Sequence, residues 1–266
     1  MYWGMGAYGR KKKLTAPESV VAVEYSYTVP GKTEYKWEKN DLTMQYWFKH
    51  LQDIFNCHKS NYIHFSDNSS QFDIDDLKQL LGNTAEVYIE NTGCYTFNQM
   101  ILQKFSPLEK LSFRTSIFPN STIPEGILMQ NFDKLQIGIA GTIPLDQLLL
   151  TNSKIVCIAG LQQTAKKLNK FIRLWQSGSN PRMEYLSILY NIANRGDKEV
   201  IMKGIKHAII PADHERKFKM ARNGSPKLVK GGIDIVRVDG VKATIRYHPM
   251  PSLEMFVWFD HCVMET

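Results

Sequence analysis

The chain has 266 residues, 43% of them hydrophobic, enough for a sizeable core in one continuous body. It has no run of about 18 apolar residues and no apolar leader with a cleavage site, which argues against a helical membrane span and predicts an intracellular, soluble protein, cytoplasmic or nuclear. The net charge of +7 invites a nucleic-acid partner, but residues 51–194 carry 12 basic against 12 acidic groups, and the excess in 195–247 is diluted by Asp213, Glu215, Asp234 and Asp239; the distribution argues against that class.

Residues 1–17 read as a flexible basic leader. Gly4, Gly6 and Gly9 have the G-x-G-x-x-G spacing, but only three residues precede Gly4 and the charge run Arg10 to Lys13 follows Gly9, so the strand and helix that a dinucleotide site needs are missing. Residues 18–56 predict a hairpin and a helix packed on the first unit of a repeat body. Val20 to Val29 alternates as a strand does, Pro30-Gly31 turns the chain into Thr33 to Trp37, and Asp41 stands as N-cap of a helix from Leu42 to about Phe55 with an apolar stripe of Met44, Trp47, Phe48, Leu51, Ile54 and Phe55.

Residues 57–194 are that body and repeat one phrase, an apolar pair separated by a single residue and followed by a turn and a helical run. Ile63 with Phe65, Val87 with Ile89, Leu111 with Phe113 and Leu135 with Ile137 return every 24 residues; Ile155 with Cys157 and Leu186 with Ile188 follow at 20 and 31. A fixed period of this size predicts an α/β strand–helix solenoid of the leucine-rich-repeat kind, with a parallel sheet and antiparallel β elements at both ends. The apolar pairs belong under the helices, and because side chains alternate along a strand, their neighbours belong on the opposite, open face. Those neighbours are His64, Ser66, Tyr88, Glu90, Ser112, Arg114, Gln136, Gly138, Val156, Ile158, Ser187 and Leu189. From this row, His64, Ser66, Tyr88, Glu90, Ser112, Arg114, Gln136, Val156 and Ser187 form the candidate partner-binding set, Tyr and Arg being residue types that anchor interfaces.

Residues 195–266 predict a helix and a β cap. Val200, Ile201, Ile205 and Ile209 have helical spacing across Asp197 to Ile209, Ala221 to Lys230 reads as a basic loop, Asp239-Gly240 signals a type I′ hairpin between Ile233–Val238 and Val241–Tyr247, and Met255 to Phe259 adds a third strand over the last repeat. His207, Asp213 and His214 match no ligand spacing, and Cys57, Cys94, Cys157 and Cys262 lack the pairing of a zinc site, so no metal, no cofactor and no catalytic residue are expected. No G-x-S-x-G, H-E-x-x-H or phosphate loop occurs, and the expected role is binding rather than catalysis.

From Phe132 onward, the stretches FDKLQIGIAGTIPLDQLLLTNSKIVCIAG, KKLNKFIRLWQSGSNPRMEYLSI, GGIDIVRVDGVKATI and EMFVW resemble the F-box-associated domain, type 2, of the nematode F-box protein family, centred on about residues 122–192; YWFKHLQDIFNC resembles the segment that follows the F-box in those proteins. The resemblance implies a substrate-recognition subunit of an SCF ubiquitin ligase that grips a target protein. Residues 1–50 contain no leucine-rich helical segment after a Leu-Pro start, so the SCF adaptor is expected as a partner only if an F-box is supplied, and a monomer is expected.

Overall fold

The computed structural model describes residues 11–12, 14, 19–25, 32–38, 43–54, 56, 62–138, 143–161, 165–190, 198–220, 226–248 and 252–264. Strands β1 (Ser19–Tyr25) and β2 (Lys32–Glu38) pair antiparallel as a separate two-stranded sheet. Their Pro30-Gly31 turn, Asp41 and Phe55 lie outside the described residues. Helix α1 spans Met44–Ile54 and starts later than the sequence suggests, because Thr43 supplies the cap: its Oγ1 accepts the Tyr46 N–H at 3.2 Å. Trp47 is the buried member of its stripe, and Ile54 is exposed.

Eleven strands of the described residues form one mixed sheet. Six run parallel in chain order: β3 (Tyr62–Phe65), β4 (Glu86–Ile89), β5 (Lys110–Arg114), β6 (Lys134–Gly138), β7 (Ile155–Leu161) and β8 (Tyr185–Tyr190). Beyond β8 the pairing is antiparallel, through β12 (Ser252–Val257), β11 (Lys242–His248), β10 (Lys227–Val236), β9 (His207–Phe218) and β13 (Val263–Met264). Parallel pairing therefore occupies the middle of the chain and antiparallel pairing its two ends.

The 24-residue spacing becomes register. Val87 lies beside Ile63 and Leu111, and Leu111 beside Leu135, so equal loops bring equivalent side chains into one row. Ile63, Phe65, Val87, Ile89, Leu111, Phe113, Leu135 and Ile137 are all buried, in one cluster with helices α2 (Ile74–Leu81), α3 (Tyr95–Phe105), α4 (Glu125–Leu128), α5 (Leu145–Leu150) and α6 (Ala165–Gln176). Local signals set the helix ends. The Asp73 carboxylate accepts the Asp75 N–H at 2.8 Å at the start of α2, and Gly178 (φ +106°) ends α6, its N–H donating to the Trp175 carbonyl while Ser179 N–H reaches Leu174.

Buried amides stitch each unit to the next. Asn98 Nδ2 donates to the Ile117 carbonyl (2.9 Å), Gln147 Nε2 to Ile123 (3.1 Å), and Asn180 Nδ2 to the Thr151 carbonyl (2.8 Å) and Leu149 (3.2 Å). These carbonyls sit where no ladder partner is available, and a buried unpaired backbone group would be costly. Asn180 also takes positive φ (+52°), which Asn tolerates better than most residues; this accounts for its place in the Ser179-Asn180-Pro181-Arg182 turn.

The structure corrects the sequence reading in four places. In β7 the core row passes through Val156 and Ile158, which register with Leu135 and Ile137, so Val156 lies in the core rather than on the binding row; Ile155 points the opposite way, and Cys157 is half-buried beside Gln136 and Ser187. Ile155, Val156 and Ile158 are all apolar because both faces of β7 are covered, which removes the alternation that would fix the parity. The helix expected from Asp197 to Ile209 is only α7 (Lys198–Met202): Gly204 adopts φ +68°, and Ile209 lies in β9, 77% exposed. Lys227 to Lys230 belongs to β10 rather than to a loop. At the β10–β11 turn only Gly240 (φ +88°) has positive φ, and its N–H donates to the Arg237 carbonyl, so the connection is a three-residue loop closed by a left-handed glycine rather than type I′.

Gly231 (φ +57°) and Gly232 (φ +126°) mark a bulge where β9 carries three more residues than β10, Glu215 and Ile210 lying opposite Lys230 and Gly232. A Cβ on Gly231 would stand 2.9 Å from Ala212 Cα, so the backbones meet too closely for any side chain. Beyond the bulge, Phe218 and Val229 pack with Ile155, Tyr185, Phe256 and Cys262 in a second cluster on the face opposite the helices.

Candidate functional site

The face opposite the helices is open over β3–β6 and covered over β7, β8 and β12. Its open part is read off the register as rows. Tyr62, Glu86, Lys110 and Lys134 form one row, His64, Tyr88, Ser112 and Gln136 a second, and Arg114 stands beside Gly138 in a third. Strand alternation puts these side chains opposite the core row, as the sequence suggests for His64, Tyr88, Ser112, Arg114 and Gln136.

Within the rows the chemistry is polar and aromatic. The His64 and Tyr88 rings stack with centroids 4.5 Å apart, and His64 Nε2 lies 3.2 Å from Glu90 Oε2. Tyr62 is 50% exposed and its ring tilts toward His64. Its phenol is held above the usual range, by burial first and then by the negative charge of Glu86. Lys110 Nζ reaches Glu86 Oε2 at 3.2 Å. Gly138 has a packing reason: a Cβ there would meet Arg114 Cγ at 3.2 Å, so the absent side chain leaves room for the aliphatic stem of Arg114, whose side chain is exposed.

Not all the candidate residues join this patch. Ser66 stands just past the end of β3, where its N–H donates to Ser69 Oγ at 3.0 Å. Val156 is buried in the core. Ser187 lies on β8, three strands and about 14 Å from Ser112, beside Cys157 and Glu254.

The covered part holds a polar centre that the sequence reading missed. Glu254 projects from β12 and is bonded by Tyr185 Oη, Lys227 Nζ and His248 Nε2, while Lys227 Nζ also donates to Tyr185 Oη at 3.1 Å. Burial alone would raise the Glu254 carboxyl; the hydrogen bonds from Lys227, Tyr185 and His248 outweigh it and hold the group below its ordinary range. Burial, then the bond to Glu254, drives the Tyr185 phenol far upward. Phe218 and Phe256 pack against Tyr185, so Tyr185 and Glu254 are buried while Lys227 and His248 reach toward solvent. Its partners come from β8, β10, β11 and β12, more than 60 residues apart at the extremes, and no local spacing announces them. Nearby, burial and then the Glu184 carboxylate push the Cys262 thiol up to about 12.

His207, Asp213 and His214 all lie exposed along β9, and the His207 Nδ1 pairs with the Ile205 carbonyl at 2.7 Å. They make no convergent site. Among the described residues no helix is long and apolar enough to cross a membrane.

These features define a mixed α/β protein whose parallel strand–helix units display an open, polar and aromatic sheet face. Residues 123–188, 66 of the 266, match the family model described as F-box associated, a stretch that runs from just before α4 into β8. No curated protein and no solved structure matches the chain.

Proposed function

We propose that the chain is a non-catalytic protein-binding module, the substrate-recognition part of a nematode-type F-box protein serving an SCF ubiquitin ligase, and that β3–β8 with their helices make a leucine-rich-repeat-like solenoid. The target sits on the open face, held by His64, Tyr88, Glu90, Ser112, Arg114 and Gln136. The observation that carries this reading is the F-box-associated match over α4 to β8, because F-box-associated regions act as target-binding parts rather than catalysts. The equal 24-residue register of β3–β6, the stacked His64–Tyr88 pair and the exposed Arg114 on the same sheet face support it. A ring stack and an arginine at the centre of a patch are the groups expected to carry most of an interface's energy. Coupling to ubiquitination requires an F-box to engage the adaptor, and the module works inside the cell, in cytoplasm or nucleus.

The test is affinity capture with Tyr88→Ala and Arg114→Glu. Arg114→Glu should melt within about 0.5 kcal/mol of the parent, and Tyr88→Ala, which gives up the His64 stack, should stay folded at a cost of about 1–2 kcal/mol, while specific protein partners are lost. Retention of the same partners by both variants would remove the open face from the proposal, and capture of nucleic acid in place of protein would replace the reading altogether.

A further inference from the structure

A different part of the molecule brings Glu184, His261 and Cys262 together, the sole grouping of three such donors among the described residues. Glu184 immediately precedes β8, while His261 and Cys262 lie in a single 3₁₀ turn, Asp260–Cys262, that leads into β13. Their donor atoms all lie within 4.8 Å of one another, with His261 Nε2 3.1 Å from Glu184 Oε1. The Glu184 side chain is 4% exposed, and its Oε2 receives no N–H or O–H; the Cys262 thiol is the group that faces the carboxylate. A buried carboxylate oxygen facing only a weak S–H donor is poorly compensated. Lys154 Nζ, whose charge acts on Cys262, is engaged by Asp133 at 2.9 Å.

The backbone around the donors is fixed. Glu184 N–H donates to the Lys154 carbonyl and Glu184 O accepts from Val257, while Cys262 N–H donates to Phe259 O and Cys262 O accepts from Lys219. The His261 ring stacks on Phe259 at 5.7 Å. Glu184 and Cys262 are thus held by backbone hydrogen bonds, while the 64% exposed imidazole of His261 already stands 3.1 Å from Glu184 Oε1.

We propose that Glu184, His261 and Cys262 form a three-donor site for a borderline divalent cation of the zinc class, with water completing a tetrahedron. One oxygen, one imidazole nitrogen and one sulfur suit zinc better than calcium or magnesium, which take oxygen ligands. On binding, the Cys262 S–H bond breaks, its proton passes to solvent, and the sulfur electron pair forms the metal bond. The ion would tie the chain just before β13 to the start of β8, across 77 residues of sequence.

The test uses the full chain with Co²⁺ as a spectroscopic substitute and Zn²⁺ as competitor. One equivalent of Co²⁺ should give a thiolate-to-metal charge-transfer band that Zn²⁺ bleaches, and Zn²⁺ should raise the melting temperature. Cys262→Ala should abolish the band, and His261→Ala, at an exposed position that leaves folding intact, should weaken binding by at least ~100-fold. A parent chain with neither band nor melting shift overturns the site. So does a band that survives Cys262→Ala, which would place the thiolate elsewhere, or an affinity unchanged in His261→Ala.

Discussion

The two halves of the large sheet bury their strands differently. Over β3–β6, one face carries the helices and the other is open, so each strand alternates apolar with polar; over β7, β8 and β12, Phe218 and Val229 return across the second face and enclose Ile155, Tyr185 and Phe256. The difference teaches that a parallel ladder does not by itself decide which face is available to a partner. Here the bulge at Gly231-Gly232 does so, by turning the ends of β9 and β10 back over the sheet.

Removing the cover should have the largest effect. Phe218 is fully buried against Phe256 and Trp258, and Phe218→Ala should cost ~3–5 kcal/mol in denaturant unfolding. A loss near that of an exposed residue would mean that the second cluster is not packed as described. In the parallel half, Leu111→Ala, at the centre of the core row, should cost ~2–5 kcal/mol by the same measurement. Asn180→Ala should cost less, ~1–3 kcal/mol, by leaving the Thr151 and Leu149 carbonyls unpaired.

The covered half also carries an acid dependence, set by Glu254. Glu254 has a folded pKa below its ordinary 4.5, so its stabilisation is fully present above that value and is lost as the pH falls through the depressed folded pKa. Melting followed downward from pH 6 should therefore fall below about 4.5, and Glu254→Gln should flatten that acid limb while lowering stability at neutral pH. An unchanged acid limb would mean that the carboxylate is not bonded in the folded state. The smallest effect is expected for the exposed pair on the open face: Lys110→Ala should change stability by less than ~1 kcal/mol.

The parallel half was legible because the unit length stays at 24 residues from β3 to β6, each strand has one apolar parity, and caps such as Asp73 are local. At β7 that logic fails: Val156 follows Leu135 by 21 residues, and a strand apolar on both sides leaves its facing ambiguous, so Val156 and Ile155 exchange roles. The facing of the candidate residues on β3–β6 follows from parity alone. The Glu254 network and the Glu184–His261–Cys262 group do not, because their members are distant in the chain and their proximity depends on where β12 and the β13 segment return to the sheet. The resemblance from Phe132 onward falls on the stretch that the F-box-associated model matches, and its pieces include Gly178 and Asn180, turn and cap residues whose backbone conformations few others adopt.

Tyrosine modification with and without a captured partner tests the open-against-covered contrast and the binding role together. In the free protein, Tyr62 and Tyr88 should react along with the exposed Tyr46 and Tyr95, while the buried Tyr185 stays protected. With a partner bound, Tyr62 and Tyr88 should become protected and Tyr46 and Tyr95 should react as before. Free-state modification of Tyr185 as fast as Tyr62, or a bound partner that leaves Tyr62 and Tyr88 fully reactive, would contradict the account.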